Sequence, residues 1–265
     1  MFVRALTPTA LAVALALPFA TVQAQQFHYA PGTSHYRMTV DAKVTQTVMG
    51  QSNDATLNSG QKFTMALAQQ APDTLAMTVT IDSIGQTTSL GPTPGLDSLV
   101  GQKVQAFLSP TGEFYAKHLG ADTVAALASI ADQLVHILPR IRVPLAKGAT
   151  WSDTLTESTL QSGLNVKRQV ISTFTVAGDT TIGGATAWEI TRKSNSTTSG
   201  LGNIQGQNAT MDGTSTGSGL VFLTHDGTFV GGTGSEDVKA KLTLTDAGVA
   251  YDIGTSAHTK IERMN

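Results

Sequence analysis

Long runs of alternating apolar and polar residues restrict this chain to extended structure, because successive side chains of a strand point to opposite faces. Tyr36, Met38, Val40, Ala42 and Val44 fall on one face, and Arg37, Thr39, Asp41, Lys43 and Thr45 on the other. The same spacing predicts strands through Phe63, Met65 and Leu67, and then through Leu75, Met77, Val79 and Ile81, with the turn-prone Ala71-Pro72-Asp73 between them. These three strands read as an antiparallel meander. Further runs lie at Val170 to Val176, Trp188 to Arg192, Val238 to Leu244 and Val249 to Ile261. About ten strands follow, above the usual sheet of ~4–6.

One stretch has a different period. From Asp122 to Leu138 the residues Val124, Leu127, Ala128, Ala131, Leu134, Val135 and Leu138 recur at helical spacing, with Asp122 as N-cap and Pro139 as terminator. A shorter helical turn is expected around Gly95 to Val100. Ser194 to Gly219 is rich in Ser, Thr, Gly and Asn and reads as a loop followed by a strand from Ala209 to Leu220. Phe107-Leu108-Ser109-Pro110-Thr111-Gly112-Glu113-Phe114 matches Phe222-Leu223-Thr224-His225-Asp226-Gly227-Thr228-Phe229, and both copies read as hairpins with Gly at a left-handed position. Either two hairpins converged by chance, or the chain holds two related halves, about 36–138 and 150–265.

The N-terminus follows the plan of a secretory signal peptide, 1–24. Arg4 supplies the charge, Leu11 to Phe19 the apolar stretch, and Val22-Gln23-Ala24 the small-x-small cleavage site. The apolar stretch is shorter than the ~20 residues that span a bilayer, and no later stretch reaches that length. A soluble periplasmic or secreted protein beginning at Gln25, and forming a single domain over 25–265, is expected. The chain has no cysteine, so its core must hold it without disulfides. Charged residues are only 14% and the net charge is −2, which leaves no basic footprint for nucleic acid.

One helix cannot cover the apolar face of about ten strands. The sheet must curl into an antiparallel open or half β-barrel, with the helix as lid or plug. An interior left unfilled would suit an apolar ligand.

An exported precursor, long N-terminal strand pairs, a helix ending in Pro139 and a following Gly148-Ala149-Thr150-Trp151 resemble the bacterial lipoprotein-carrier (LolA/LolB-like) superfamily and its exported relatives. The resemblance covers most of the mature chain. It implies an open β-barrel with helices as a lid over an apolar cavity, and a carrier of acyl chains.

The chemical motifs fare less well. Gly213-Thr214-Ser215-Thr216-Gly217 fits G-x-S-x-G, but a strand follows it where a nucleophile elbow requires a helix. Six histidines, at 28, 35, 118, 136, 225 and 258, lack metal-ligand spacing. His28 and His35 fall in an N-terminal lead expected to be mobile. Glu236 and Asp237 are adjacent, so on a strand they face opposite ways. Gly231-Gly232-Thr233-Gly234 lacks the Lys-Ser/Thr ending and helix of a phosphate loop and reads as a bend or bulge.

No enzyme, metal or cofactor is therefore expected. The reading is a non-enzymatic binder or carrier of an apolar, acyl-chain or lipid-like ligand. Its candidate ligand-binding residues are the adaptable Met38, Met65 and Met77 and the helix residues Leu127, Leu134 and Leu138. The alternative is an envelope interaction or structural module with a filled core. Expressed with its leader in a bacterial host, the protein recovered from the envelope fraction should give an intact mass that starts at Gln25.

Overall fold

The computed structural model describes residues 26–264, apart from 90, 94, 119–126, 128, 129, 132, 135 and 162. The signal peptide of the sequence reading lies outside the described residues. The strands are β1 (Gly32–Val48), β2 (Gln51–Ala71), β3 (Thr74–Thr88), β4 (Gly91–Pro92), β5 (Lys103–Leu108), β6 (Phe114–His118), β7 (Thr150–Gln161), β8 (Leu164–Ile182), β9 (Ala185–Ile204), β10 (Gln207–Thr224), β11 (Phe229–Leu244) and β12 (Val249–Met264). Eleven of them form one open sheet in the order β6-β5-β3-β2-β1-β12-β11-β10-β9-β8-β7, and β4 pairs with β3 beside that path. Every pairing is antiparallel. The first and last strands meet in the middle of the sheet, where Tyr36 lies opposite Arg263 and Val48 opposite Tyr251.

Strands of 15 to 21 residues, such as β3 and β2, are about 50–70 Å long at 3.3 Å per residue. The apolar face of this sheet is buried mainly at one end. Tyr36, Met38, Phe63, Met65, Leu75, Met77, Val79 and Ile81 are buried there with Ile190, Leu223 and Phe229 from the other half. Tyr36 donates from its hydroxyl to the Phe229 carbonyl (2.7 Å), and its ring stacks on Phe63. The polar end of a buried aromatic thus finds a partner across the curl.

The edges β6 and β7 do not pair, so the chain between His118 and Thr150 crosses from one edge to the other. Its described apolar residues Leu127, Ala131, Leu134, Leu138, Ile141 and Leu145 belong to the same buried cluster as the strand residues. The long helix expected over Asp122–Leu138 is not among the elements shown. Much of that run lies outside the described residues, and helical backbone is assigned only to Leu127, Ile130, Ala131, Gln133 and Leu134. Among the described residues, the apolar face is covered by Leu127, Ala131, Leu134 and Leu138 together with the irregular segment after Pro139. The Arg140 carbonyl accepts from Trp151 Nε1 (2.8 Å), and Ile141 N–H donates to the Thr111 carbonyl (2.8 Å), so this segment spans the gap between the edges.

Two other expectations change, and the helical turn expected around Gly95 to Val100 is borne out. Ser194 to Gly219 is no loop, because β9 and β10 pair continuously from Gln207↔Ile204 to Thr224↔Ala187. Uncharged Ser and Thr side chains serve as strand residues here, and ladder pairing overrides their turn preference. The turn near Gly95 is a short 3₁₀ helix, Leu96–Leu99. The N-terminal lead is held in place: Tyr29 N–H donates to the Pro110 carbonyl (2.7 Å), Ala30 N–H to the Gly227 carbonyl (3.0 Å), and the Tyr29 hydroxyl to the Pro139 carbonyl (2.8 Å). Burial, with Tyr36 adding to it, holds the Tyr29 phenol well above its usual range, so it remains a donor.

The two copies of the repeated octapeptide have the same structure. In each, the hydroxyl residue donates N–H to the carbonyl four residues on (Ser109 to Glu113, Thr224 to Thr228, both 2.8 Å), and the glycine N–H returns to its carbonyl. In each, the hydroxyl also accepts from that fourth residue's N–H, and the ladder slips by one residue just before the turn. Gly112 and Gly227 both have positive φ, and the lead that runs over both turns leaves no space for a β-carbon at either.

The register places Gly200 and Gly202 of β9, Gly213, Gly217 and Gly219 of β10, and Gly232 and Gly234 of β11 on the apolar, concave face. A β-carbon at Gly219 would collide with the Thr233 carbonyl, and one at Gly217 would stand 2.7 Å from Ser194 Oγ. These strands therefore curl more tightly than side chains would permit. Gly219→Val should cost about 2–3 kcal/mol in urea unfolding. Gly60→Ala, with nothing within 4 Å of its β-carbon, should change stability by under about 0.5 kcal/mol.

Candidate ligand-binding site

All six residues singled out from sequence lie in one place. Met38, Met65, Met77, Leu127, Leu134 and Leu138 are members of a single buried cluster at the closed end of the concave face, and Leu134 is 0% exposed. The methionines come from the strands and the leucines from the crossover, so the crossover occupies the position a ligand would take beside Met38, Met65 and Met77.

Beyond this plug the concave face continues to the far end of the strands. Its register rows carry Val40, Ala42 and Val44 of β1, Ile253, Thr255 and Ala257 of β12, and Val238 and Ala240 of β11. These residues are half-buried, whereas their neighbours on the outer face, such as Asp41, Lys43, Lys239, Lys241 and Asp252, are exposed. A second small cluster, Leu164, Val166 and Ala209 with Met211, Leu242 and Leu244 packed against it, lies at the far end of the same face.

Beside the trough, on β8 to β11, is a polar belt that the sequence did not announce: Ser215 shares a row with Val238 and Val44, and Glu236 with Ala257 and Ala42. Ser196 and Ser215 are buried and hydrogen-bonded to each other (2.7 Å), and Ser215 donates to Glu236 Oε1 (2.6 Å). Arg168 reaches from β8 across β9 and β10 to pair with the same Glu236 oxygen. That reach is possible only because small residues lie beneath it: Thr198 and Gly213 in Arg168's own row, Ser196 and Ser215 in the next. Arg192 lies one side of this pair and donates from Nε to Ser172 Oγ (3.2 Å). Although Arg192 is exposed as a residue, the protein around its guanidinium lowers its pKa; Glu236 opposes the shift and Arg168 adds to it. It stays a cation at physiological pH.

The outside of this constriction is a groove of about 1000 Å³ crossing β7 to β12 and β1. It is lined by two adjacent register rows of the outer face, including Lys167, Lys239, Lys241, Asp212 and Asp252. The sheet is a saddle here, concave across the strands on the inside and along them on the outside, as strong twist requires. The groove is a solvated face of alternating charge, with Asp212 opposite Lys241 and Lys241 opposite Asp252.

The G-x-S-x-G serine, Ser215, is an interior strand residue bonded to Ser196 and Glu236, with no histidine among its hydrogen-bond partners. His225 pairs with Asp179 (2.8 Å) and stacks on Trp188 at an exposed turn. Among the described residues no group of three or more His, Asp or Glu is arranged to hold a metal ion.

No family model and no curated protein matches the chain. Among solved structures, OccK2 (OpdF) of Pseudomonas aeruginosa aligns over 88% of this chain and 98% of its own at 6% identity and a TM-score of 0.30. Its complex with glucuronate gives 0.28 at 6% identity, over 91% of this chain and 100% of that one. A DUF1329 family protein from Desulfovibrio piger gives 0.15 at 7% identity over 84% of each chain. At such scores these likenesses carry no argument. Among the described residues no helix is long and apolar enough to cross a membrane.

The belt should behave as a coupled unit. In a double-mutant cycle of Arg168→Met and Glu236→Gln, urea unfolding should give a stabilising coupling of about 1 kcal/mol, as suits a pair about one-third exposed.

Proposed function

We propose that this protein is a non-enzymatic, periplasmic or secreted binder of an apolar, acyl-chain-like ligand, held along the concave face of the sheet. The observation that carries the reading is the continuation of that face, beyond the packed end, as a half-buried apolar trough through Val40, Ala42, Val44, Val238, Ile253 and Ala257. From Val40 to Val48 the trough is about 27 Å long at 3.3 Å per residue, which suits an extended long-chain acyl group. Each methylene removed from water contributes about 0.8 kcal/mol, so such a chain is held with few polar contacts.

The plug has a part in this reading. Leu127, Leu134 and Leu138 fill the closed end as a separate segment of chain, and their displacement would extend the trough to Met38, Met65 and Met77. The close packing of that end favours a second reading, an envelope interaction module whose core is permanently filled.

The two readings part on one experiment. The mature protein should take up a fluorescent fatty acid, and Val44→Asp with Ile253→Lys should abolish uptake while leaving the thermal unfolding curve nearly unchanged. Absence of uptake by the unaltered protein would leave the interaction module.

A further inference from the structure

The polar belt lies beside the apolar trough in the same register rows, with Arg192 at its inner end. Four arginines surround it. Arg140 pairs with Glu113 (2.6 Å), Arg142 with Asp153 (2.6 Å), and Arg168 with Glu236. Glu157, the remaining carboxylate facing the belt, lies 3.6 Å from His136. Arg192 is left over: among the described residues its one hydrogen bond goes to Ser172 Oγ, and it has no ion-pair partner. Of its five N–H donors, the four on the terminal nitrogens have no protein acceptor.

We infer that Arg192, backed by Ser172 and with the Arg168 charge beside it, receives the anionic head group, a carboxylate or phosphate, of an amphiphile whose tail lies in the trough. This inference rests on the binding reading above and adds the class of head group. The placement follows from the register. Arg192 shares a row with Gly219, Gly234, Thr259 and Val40, so few side chains stand beside its guanidinium. The next rows outward bring Ala42 and Val44. Glu236 does not repel the incoming anion strongly, because it is already taken up by Arg168 and by the Ser215 hydroxyl. A guanidinium offers two parallel donors to a carboxylate or phosphate, which gives orientation as well as affinity.

The test compares oleate, lysophosphatidic acid with an oleoyl chain, and uncharged oleyl alcohol, titrated into the full mature protein and into Arg192→Gln and Arg192→Lys. The unaltered protein should bind at least one anionic probe about tenfold more tightly than the alcohol. Preference for oleate assigns the site to a fatty-acid carboxylate, and preference for the lysolipid to a phosphate head. Arg192→Gln should remove the preference and leave alcohol affinity unchanged, which also reports that the variant is folded. Arg192→Lys should retain part of it. Equal affinity for charged and uncharged probes, or a preference that survives Arg192→Gln, would overturn the head-group assignment and leave the apolar binder standing. Failure of all three probes to bind would overturn both.

Discussion

The strands of this sheet, most of them long and apolar on one side, expose a face that water disfavours at about 25 cal/mol per Å², and the rest of the architecture answers that demand. A sheet whose edges do not pair cannot bury its face by closing on itself. The chain instead sends its own crossover from β6 to β7 through the concavity, where Leu127, Ala131, Leu134, Leu138 and Ile141 meet Met38, Phe63, Met77 and Ile190. Arg140 ties the crossover to Glu113 on one side and, with Arg142, to Asp153 on the other, so the gap between the edges is bridged at that end. The N-terminal lead completes the cover by lying over two turns of the same design.

The crossover reaches only part of the way along strands as long as these. Past it, curvature takes over. Glycines and serines on the concave face of β9 to β11 let the backbones approach until Arg168 and Glu236, three strands apart, touch. A constriction of this kind gathers charge on β8 to β11, in the rows that carry the trough on β11, β12 and β1. Charges so placed are costly to bury unpaired. Three of the four arginines around the belt are matched by carboxylates, and Arg192, which has no ion-pair partner among the described residues, is exposed.

Much of this was legible beforehand. Period-two spacing located β1, β2 and β3 and their turn, and the repeated octapeptide announced two hairpins that share their main-chain hydrogen bonds and their slipped ladder. The misreadings have a common cause. From Ser194 to Gly219 the alternation is carried by Ser, Thr and Gly on both faces, so no hydrophobic period marks two of the longest strands; pairing along Thr197↔Thr214 and Ser196↔Ser215 makes them strands nonetheless. The N-terminal lead reads as mobile because its anchors, Pro110, Pro139 and Gly227, are distant in sequence. The six candidate binding residues fall in one buried cluster, but whether that group is cavity or core depends on packing density, which residue spacing does not encode.

By itself, then, the sequence determined a β-rich chain with one apolar face and no framework of cysteines, because alternation and composition are local properties of the chain. The order of strands, with β1 and β12 joined at the centre, the crossover as plug, and the meeting of Arg168, Arg192, Ser172, Ser215 and Glu236 were decided only in three dimensions. Each of these belt residues is an ordinary polar residue on its own strand. They become a site because the curl of the sheet, permitted by glycines on neighbouring strands, brings distant register rows within reach of one another.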